Sequence, residues 1–149
     1  MQLASTRIFT DDVDALVDFY EAATGIAADR LHPKFAEIRT SSGRLALAST
    51  TTVPLLGDGA AEARANRTIA LDFLVDDVDA TYQTLQSVVD VFVNTPTDMP
   101  WGNRSLLVRD PDGNLVNFFT PVGASAASRF TDDDPAAHQM IVEHHDEIP

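Results

Sequence analysis

The pentapeptide DDVDA stands twice in this chain, at residues 11 to 15 and again at residues 76 to 80, an offset of 65. Each copy follows an apolar stretch. Each also precedes residues recurring at helical spacing: Val13, Leu16, Val17 and Tyr20 after the first, Val78, Tyr82 and Leu85 after the second. Repetition on this length scale points to two copies of one supersecondary unit, and it restricts the fold more than composition does. Aspartate suits such a corner because Asp11 or Asp12 can accept backbone N–H bonds at a helix start. Gly25 stands where a glycine stop would end the first helix.

The segments around the corners complete the units. LASTRIFT (3 to 10) alternates and reads as a strand. A short extended piece near Ala28 to Leu31 follows the first helix, and KFAEIRT (34 to 40) and RLALAST (44 to 50), joined through Ser41, Ser42 and Gly43, read as a hairpin. Residues 51 to 66 carry a proline, two glycines and no sustained period, which predicts a linker. The pattern then restarts with TIALDFLV (68 to 75) and a helix to about Val89. VFVNT (91 to 95), RSLLVRD (104 to 110), the turn at Pro111-Asp112-Gly113 and NLVNFFT (114 to 120) complete it. Both halves read βαβββ: module one over 1–50, linker 51–66, module two over 67–121, and an acidic C-terminal extension over 122–149.

Hydrophobic content of 44% over 149 residues suits a globular domain with a real core. The absence of cysteine removes disulfides, thiolate metal sites and thiol nucleophiles, and no signal-peptide pattern opens the chain, so a cytoplasmic protein is expected. No stretch reaches the ~20 apolar residues of a membrane span. The net charge of −13 opposes binding to nucleic acid or anionic lipid; it serves either solubility or a cationic partner.

Three stretches carry a family resemblance: RIFTDDVDALVDFYEAATGI, IALDFLVDDVDA and, most specifically, PWGNRSLLVRDPDGNLVNFFTP. Together they resemble the vicinal oxygen chelate superfamily, which includes glyoxalase I, extradiol dioxygenases, fosfomycin-resistance enzymes and bleomycin-binding resistance proteins. The resemblance covers roughly residues 3 to 121. It implies an α+β fold of two tandem βαβββ modules, forming curled mixed sheets around a cleft with the helices outside. It also implies a homodimer, since family members often complete their clefts by pairing modules between chains. Metal-using members carry His, Glu or Gln at four inward strand positions, where an octahedral ion needs converging oxygen or imidazole ligands. Matching the DD corners places Ser5 and Ala70 at the first and third positions; matching the turn glycines places Leu47 and Asn117 at the second and fourth. A register slip of one would put Ala46 or Ala48 in place of Leu47. None of these makes a metal set, so no metal or other cofactor is expected, and the chain looks closest to the metal-free antibiotic-binding branch. His32 is expected in a loop, and His138, His144 and His145 fall in the extension.

Strand parity puts Arg7, Phe9, Asp72 and Leu74 on the inward face with Ser5 and Ala70, and Leu45, Leu47, Leu115 and Phe119 with Asn117. Arg7 and Asp72, repeat equivalents of opposite charge, either pair structurally across the modules or orient a polar ligand. Trp101 either stacks on a flat or cationic ligand or caps the end of the barrel. The expected ligand-binding set is Arg7, Phe9, Leu47, Asp72, Trp101, Asn117 and Phe119, and no catalytic residue is assigned. No Ser-His-Asp set, catalytic carboxylate pair or phosphate loop is evident.

The first functional expectation is a protein that sequesters a small cationic or aromatic compound, such as an antibiotic. The alternative is a metal-independent isomerase or lyase with Asp72 as base and Arg7 or Asn117 holding an oxyanion. A non-catalytic sensor or subunit is a third reading.

The extension carries Asp132, Asp133, Asp134, Glu143, Asp146 and Glu147 against Arg129, a contribution of −5 to the net charge. GASAAS (123 to 128) reads as a flexible connector, with a short helix after Asp134 and Pro135 anchored by Met140 and Ile141. The extension either packs near the cleft mouth or serves solubility as a mobile tail.

Overall fold

The computed structural model describes residues 1–130. The helix expected after Asp134 and three of the four histidines lie outside the described residues. Module one runs β1 (Thr6–Thr10), α1 (Val13–Thr24), β2 (Asp29–His32), β3 (Phe35–Arg39) and β4 (Arg44–Ser49). Module two runs β5 (Ala70–Leu74), α2 (Val78–Leu85), β6 (Val91–Phe92), β7 (Thr97–Asp98), β8 (Asn103–Arg109) and β9 (Leu115–Pro121), and a helical turn α3 (Ala124–Ala127) follows. The strands form two mixed sheets ordered β1-β4-β3-β2 and β5-β9-β8-β6, with β7 also beside β8. In each, the first strand runs parallel to the last, so β1 and β5 are free edges and neither sheet closes into a barrel. This is the α+β architecture that the repeated corner implies.

The corners explain their own sequence. The Asp12 carboxylate accepts from the Ala15 N–H at 3.0 Å, and its repeat mate Asp77 accepts from Asp79 and Ala80 at 2.9 and 3.0 Å. Each satisfies N–H groups that the first helical turn leaves unpaired. Gly25 ends α1 with φ 69°, a left-handed conformation that glycine adopts without a Cβ clash.

Each helix lies on one face of its sheet, and the two helices also touch. Leu16, Val17 and Tyr20 pack with Ile38, Leu45 and Leu47, while Val78 and Leu85 pack with Leu106, Val108, Val116 and Phe118, all in one continuous core. At ~1.5–3 kcal/mol per large apolar side chain, this shared burial is the main force holding the modules together. A polar clamp crosses the junction: Tyr20 Oη donates to Asp110 Oδ2 at 2.8 Å, inside the core. Asp110 also receives the Asn114 Nδ2 at 2.8 Å and the Asp112 and Asn114 backbone N–H groups at 3.0 and 2.9 Å. The Asp-Pro-Asp-Gly-Asn turn thus folds around one buried carboxylate. Burial first, and then the Asp110 charge, push the Tyr20 hydroxyl well above the usual tyrosine range.

Five local expectations give way: His32, expected in a loop, ends β2, α2 stops at Leu85 short of Val89, and three further segments differ. The linker opens with a 3-10 helix, Thr50–Leu55, whose start is capped by Ser49 Oγ accepting from the Thr51 N–H at 3.3 Å. The strand expected over 91 to 95 is interrupted: Asn94 Oδ1 takes the Leu107 N–H at 2.6 Å, so a side chain replaces a ladder carbonyl, and Pro96 has no N–H to offer. The connector expected over 123 to 128 is a docked helical turn. Its alanines favour helix, and Ala126 is buried against Gly102, where a side chain would come within 3.3 Å of the Ala126 Cβ.

Candidate functional site

The edges β1 and β5 lie side by side, and a groove runs between them as two cavities that share Thr6 and Leu71. Thr6 and Leu71 are repeat mates at the same offset of 65, so the cavities are related by the internal repeat. The first, about 180 Å³, is walled by Arg7, Ile8 and Phe9 of β1, by Ile69 and Leu71, and by the linker. The second, about 390 Å³, is walled by Ala70 to Leu74 of β5 and by the β3–β4 turn, including Arg44.

The linker wall is pinned to the second module. Arg64 Nε donates to the buried Asp112 Oδ1 at 3.2 Å, and Asn66 Nδ2 donates to Asn114 Oδ1 at 3.1 Å. Arg64 adopts φ 61°, the left-handed region that disfavours a side chain, so its contact with Asp112 is made at a cost in backbone strain. Nothing in the sequence marks Glu62, Arg64 or Asn66 as cavity residues. They reach the groove only because the linker folds back.

Register decides which expected residues meet. β1 pairs Arg7 with Ala46 and Ile8 with Leu47, whereas β5 pairs Asp72 with Asn117. Leu47 therefore does not share the face of Arg7; it is fully buried in the core beneath α1, and Ala46 stands in the position equivalent to Asn117. Leu45 is turned inward in the same way. The cause is turn length: four residues, 40 to 43, join the paired Arg39 and Arg44, but five, 110 to 114, join Arg109 and Leu115. Counting from the glycines ignores that extra residue, and a shift of one reverses the face of every side chain. With this register, the four positions that the resemblance matches to metal ligands become Ser5, Ala46, Ala70 and Asn117. This set does not fit a divalent ion. Among the described residues no three His, Cys, Asp or Glu side chains cluster in a way that could hold one.

Arg7 and Asp72 do not pair. The Arg7 guanidinium lies 5.9 Å from the Phe9 ring centre and 5.7 Å from that of Phe35, and among the described residues no carboxylate is within salt-bridge distance of it. Asp72 Oδ1 instead accepts from Asn117 Nδ2 at 2.7 Å, which leaves the buried Asn117 Oδ1 without a partner. Two more unpartnered buried atoms, Asn103 Oδ1 and Ser105 Oγ, occur at alternate positions of β8 on the same face as Asn117. Phe119 shares that face and packs against Phe130 with ring centres 5.2 Å apart. Trp101 stands apart, exposed in a separate depression with Val122, Ser125 and Arg129. Of the expected set, Arg7 and Phe9 line one cavity and Asp72 lines the other, while Asn117 is bonded to Asp72 without lining either of the two.

The profile of the Glyoxalase/Bleomycin resistance protein/Dioxygenase superfamily matches residues 2–118. The chain belongs to this superfamily. It is 28% identical over 125 residues to the uncharacterized protein YraH of Bacillus subtilis (strain 168), covering 80% of this chain and 98% of that one. Among solved structures, a glyoxalase/bleomycin resistance protein/dioxygenase from Nocardioides superposes with a TM-score of 0.68 at 22% identity, covering 83% of this chain and 85% of that one. A family enzyme from Burkholderia phytofirmans PsJN superposes with a TM-score of 0.71 at 17% identity, covering 80% and 98%. At these identities the structural likeness establishes the fold, and function rests on the site itself.

Proposed function

We propose that this superfamily member binds a small molecule in the groove between β1 and β5 and holds it without metal and without transforming it, in the manner of a sequestering protein. The observation that carries this reading is the side-chain set at Ser5, Ala46, Ala70 and Asn117. It offers one hydroxyl, one amide and two methyl groups where metal chemistry needs converging anionic or imidazole donors. The groove supplies what binding needs: apolar walls from Phe9, Ile69 and Leu71 with a few polar groups between them. Arg7 and Asp72 lie in different cavities, an arrangement suited to gripping two parts of a ligand and unsuited to a base and an oxyanion donor acting on one carbon.

The proposal includes a homodimer in a cytoplasmic setting. Leu74, Trp101 and Val122 are each more than half exposed and Phe130 nearly so, and a second copy of the chain would cover them. No helix among the described residues is long and apolar enough to cross a membrane.

Native mass spectrometry of the purified protein tests the reading. The expected spectrum shows a stoichiometric small organic ligand that denaturation releases, while Ni²⁺, Zn²⁺, Mn²⁺ and Fe²⁺ leave the melting temperature unchanged. One equivalent of metal that stabilises the protein and confers glyoxalase or dioxygenase turnover would overturn it.

A further inference from the structure

We infer that the ligand of the groove is a zwitterion with an apolar body, of the amino-acid or short-peptide kind, whose cationic group meets Asp72 and whose anionic group meets Arg7. The inference rests on the groove being the binding site and adds the charge pattern of what it binds.

Internal repetition gives the groove two related cavities, and the same repeat position carries Arg7 in one and Asp72 in the other. The hydrogen-bonding capacity left over at the two ends is complementary. At the Asp72 end, the carboxylate that lines the cavity accepts one N–H from Asn117 Nδ2 and keeps its remaining lone pairs, all of them acceptors. An ammonium group, with three donors and no acceptor, is what such a set can satisfy. At the Arg7 end, a guanidinium held over Phe9 and Phe35 has five N–H donors and no carboxylate partner among the described residues. Carboxylate is its matching group, through two parallel hydrogen bonds.

Other charges lining the groove do not remove this asymmetry. Arg64 is already engaged by Asp112, and Glu62 makes no ion pair with Arg7. Arg44 lines the Asp72 cavity without pairing with it, and stands opposite Arg39 at the exposed end of the β3–β4 turn, away from the aromatic pair that orients Arg7. Thr6 and Leu71 wall both cavities, and Ile69 and Phe9 add apolar surface to the one that holds Arg7, which suits a hydrocarbon or aromatic body. A purely cationic ligand would leave Arg7 unpaired, and a purely anionic one would leave Asp72 unsatisfied, both costly once water is displaced.

The test is calorimetric titration of the full chain with phenylalanine, phenylalanylalanine and alanylphenylalanine, each also as its N-acetylated form, which is only anionic, and its C-terminal amide, which is only cationic. At least one zwitterion is expected to bind tenfold or more tightly than both of its singly charged forms. Arg7→Gln should abolish the advantage over the amide alone, Asp72→Asn the advantage over the acetylated form alone, and Arg44→Gln neither; circular dichroism confirms that each variant is folded. Equal binding of the three charge forms, failure of every zwitterion to bind, or loss of the anion preference with Arg44→Gln but not Arg7→Gln would overturn the inference. A neutral or singly charged ligand co-purifying with the protein would overturn it while leaving small-molecule binding in place.

Discussion

Tyr20 and Asp110 show how one hydrogen bond can join two modules and set a pH limit. Tyr20→Phe keeps the ring in the core but leaves a buried carboxylate short of a donor, so chemical denaturation should show a loss of ~1.5–3 kcal/mol. Because folding raises the Tyr20 pKa, the stabilisation is complete below the ordinary tyrosine value of ~10 and is lost as pH rises above it toward the folded value. Melting of the native protein should therefore fall more steeply than that of the Phe variant as pH climbs past ~10. A parallel slope in both would show that the hydroxyl titrates alike in the folded and unfolded states. At the corners, Asp12→Ala and Asp77→Ala should each cost ~1 kcal/mol by the same assay, since each removes the acceptor for first-turn N–H groups. On the surface, Arg104 holds Asp79 with two hydrogen bonds and Asp98 with a third, and the first pair keeps the Asp79 carboxyl below its usual range.

Elements are joined here by backbone features that side-chain patterns signal poorly. Gly102 has φ 90° and faces Ala126, so Gly102→Ala combines a strained conformation with a contact of 3.3 Å against α3. A loss of ~1 kcal/mol or more is expected, with faster proteolysis across residues 123 to 130; unchanged cleavage would mean that α3 is not held by this contact. The aspartate corners and the glycine stop were legible because each is a local device with a fixed spacing. The docked turn at α3 was not, since GASAAS becomes helical only where Arg129 can donate to the Trp101 carbonyl at 3.2 Å and Phe130 can meet Phe119. Interruption of the strand after Phe92 was equally hidden, because it depends on where Asn94 lies relative to Leu107.

At the scale of the whole molecule, one side of each sheet is committed to the shared core through α1 and α2, and the other is covered by neither of these helices. Exposed Leu74, Trp101, Val122 and Phe130 make association the expected state. Light scattering at micromolar concentration should find a particle of twice the 16.1 kDa chain mass, and a 16.1 kDa species alone would remove the dimer from the proposal. Sequence by itself determined the duplicated βαβββ plan, the capped corners and the residue types available to any site, because period, caps and composition are local properties of the chain. Only the tertiary structure decided that Leu47 is core and Ala46 takes the place facing Arg7, since strand register depends on a turn one residue shorter in the first module than in the second. It alone also set Arg7 and Asp72 in separate cavities and folded Arg64 and Asn66 into the wall. Those placements depend on how two sheet edges meet across some 65 residues of chain, a distance at which packing, and not local pattern, determines which side chains become neighbours.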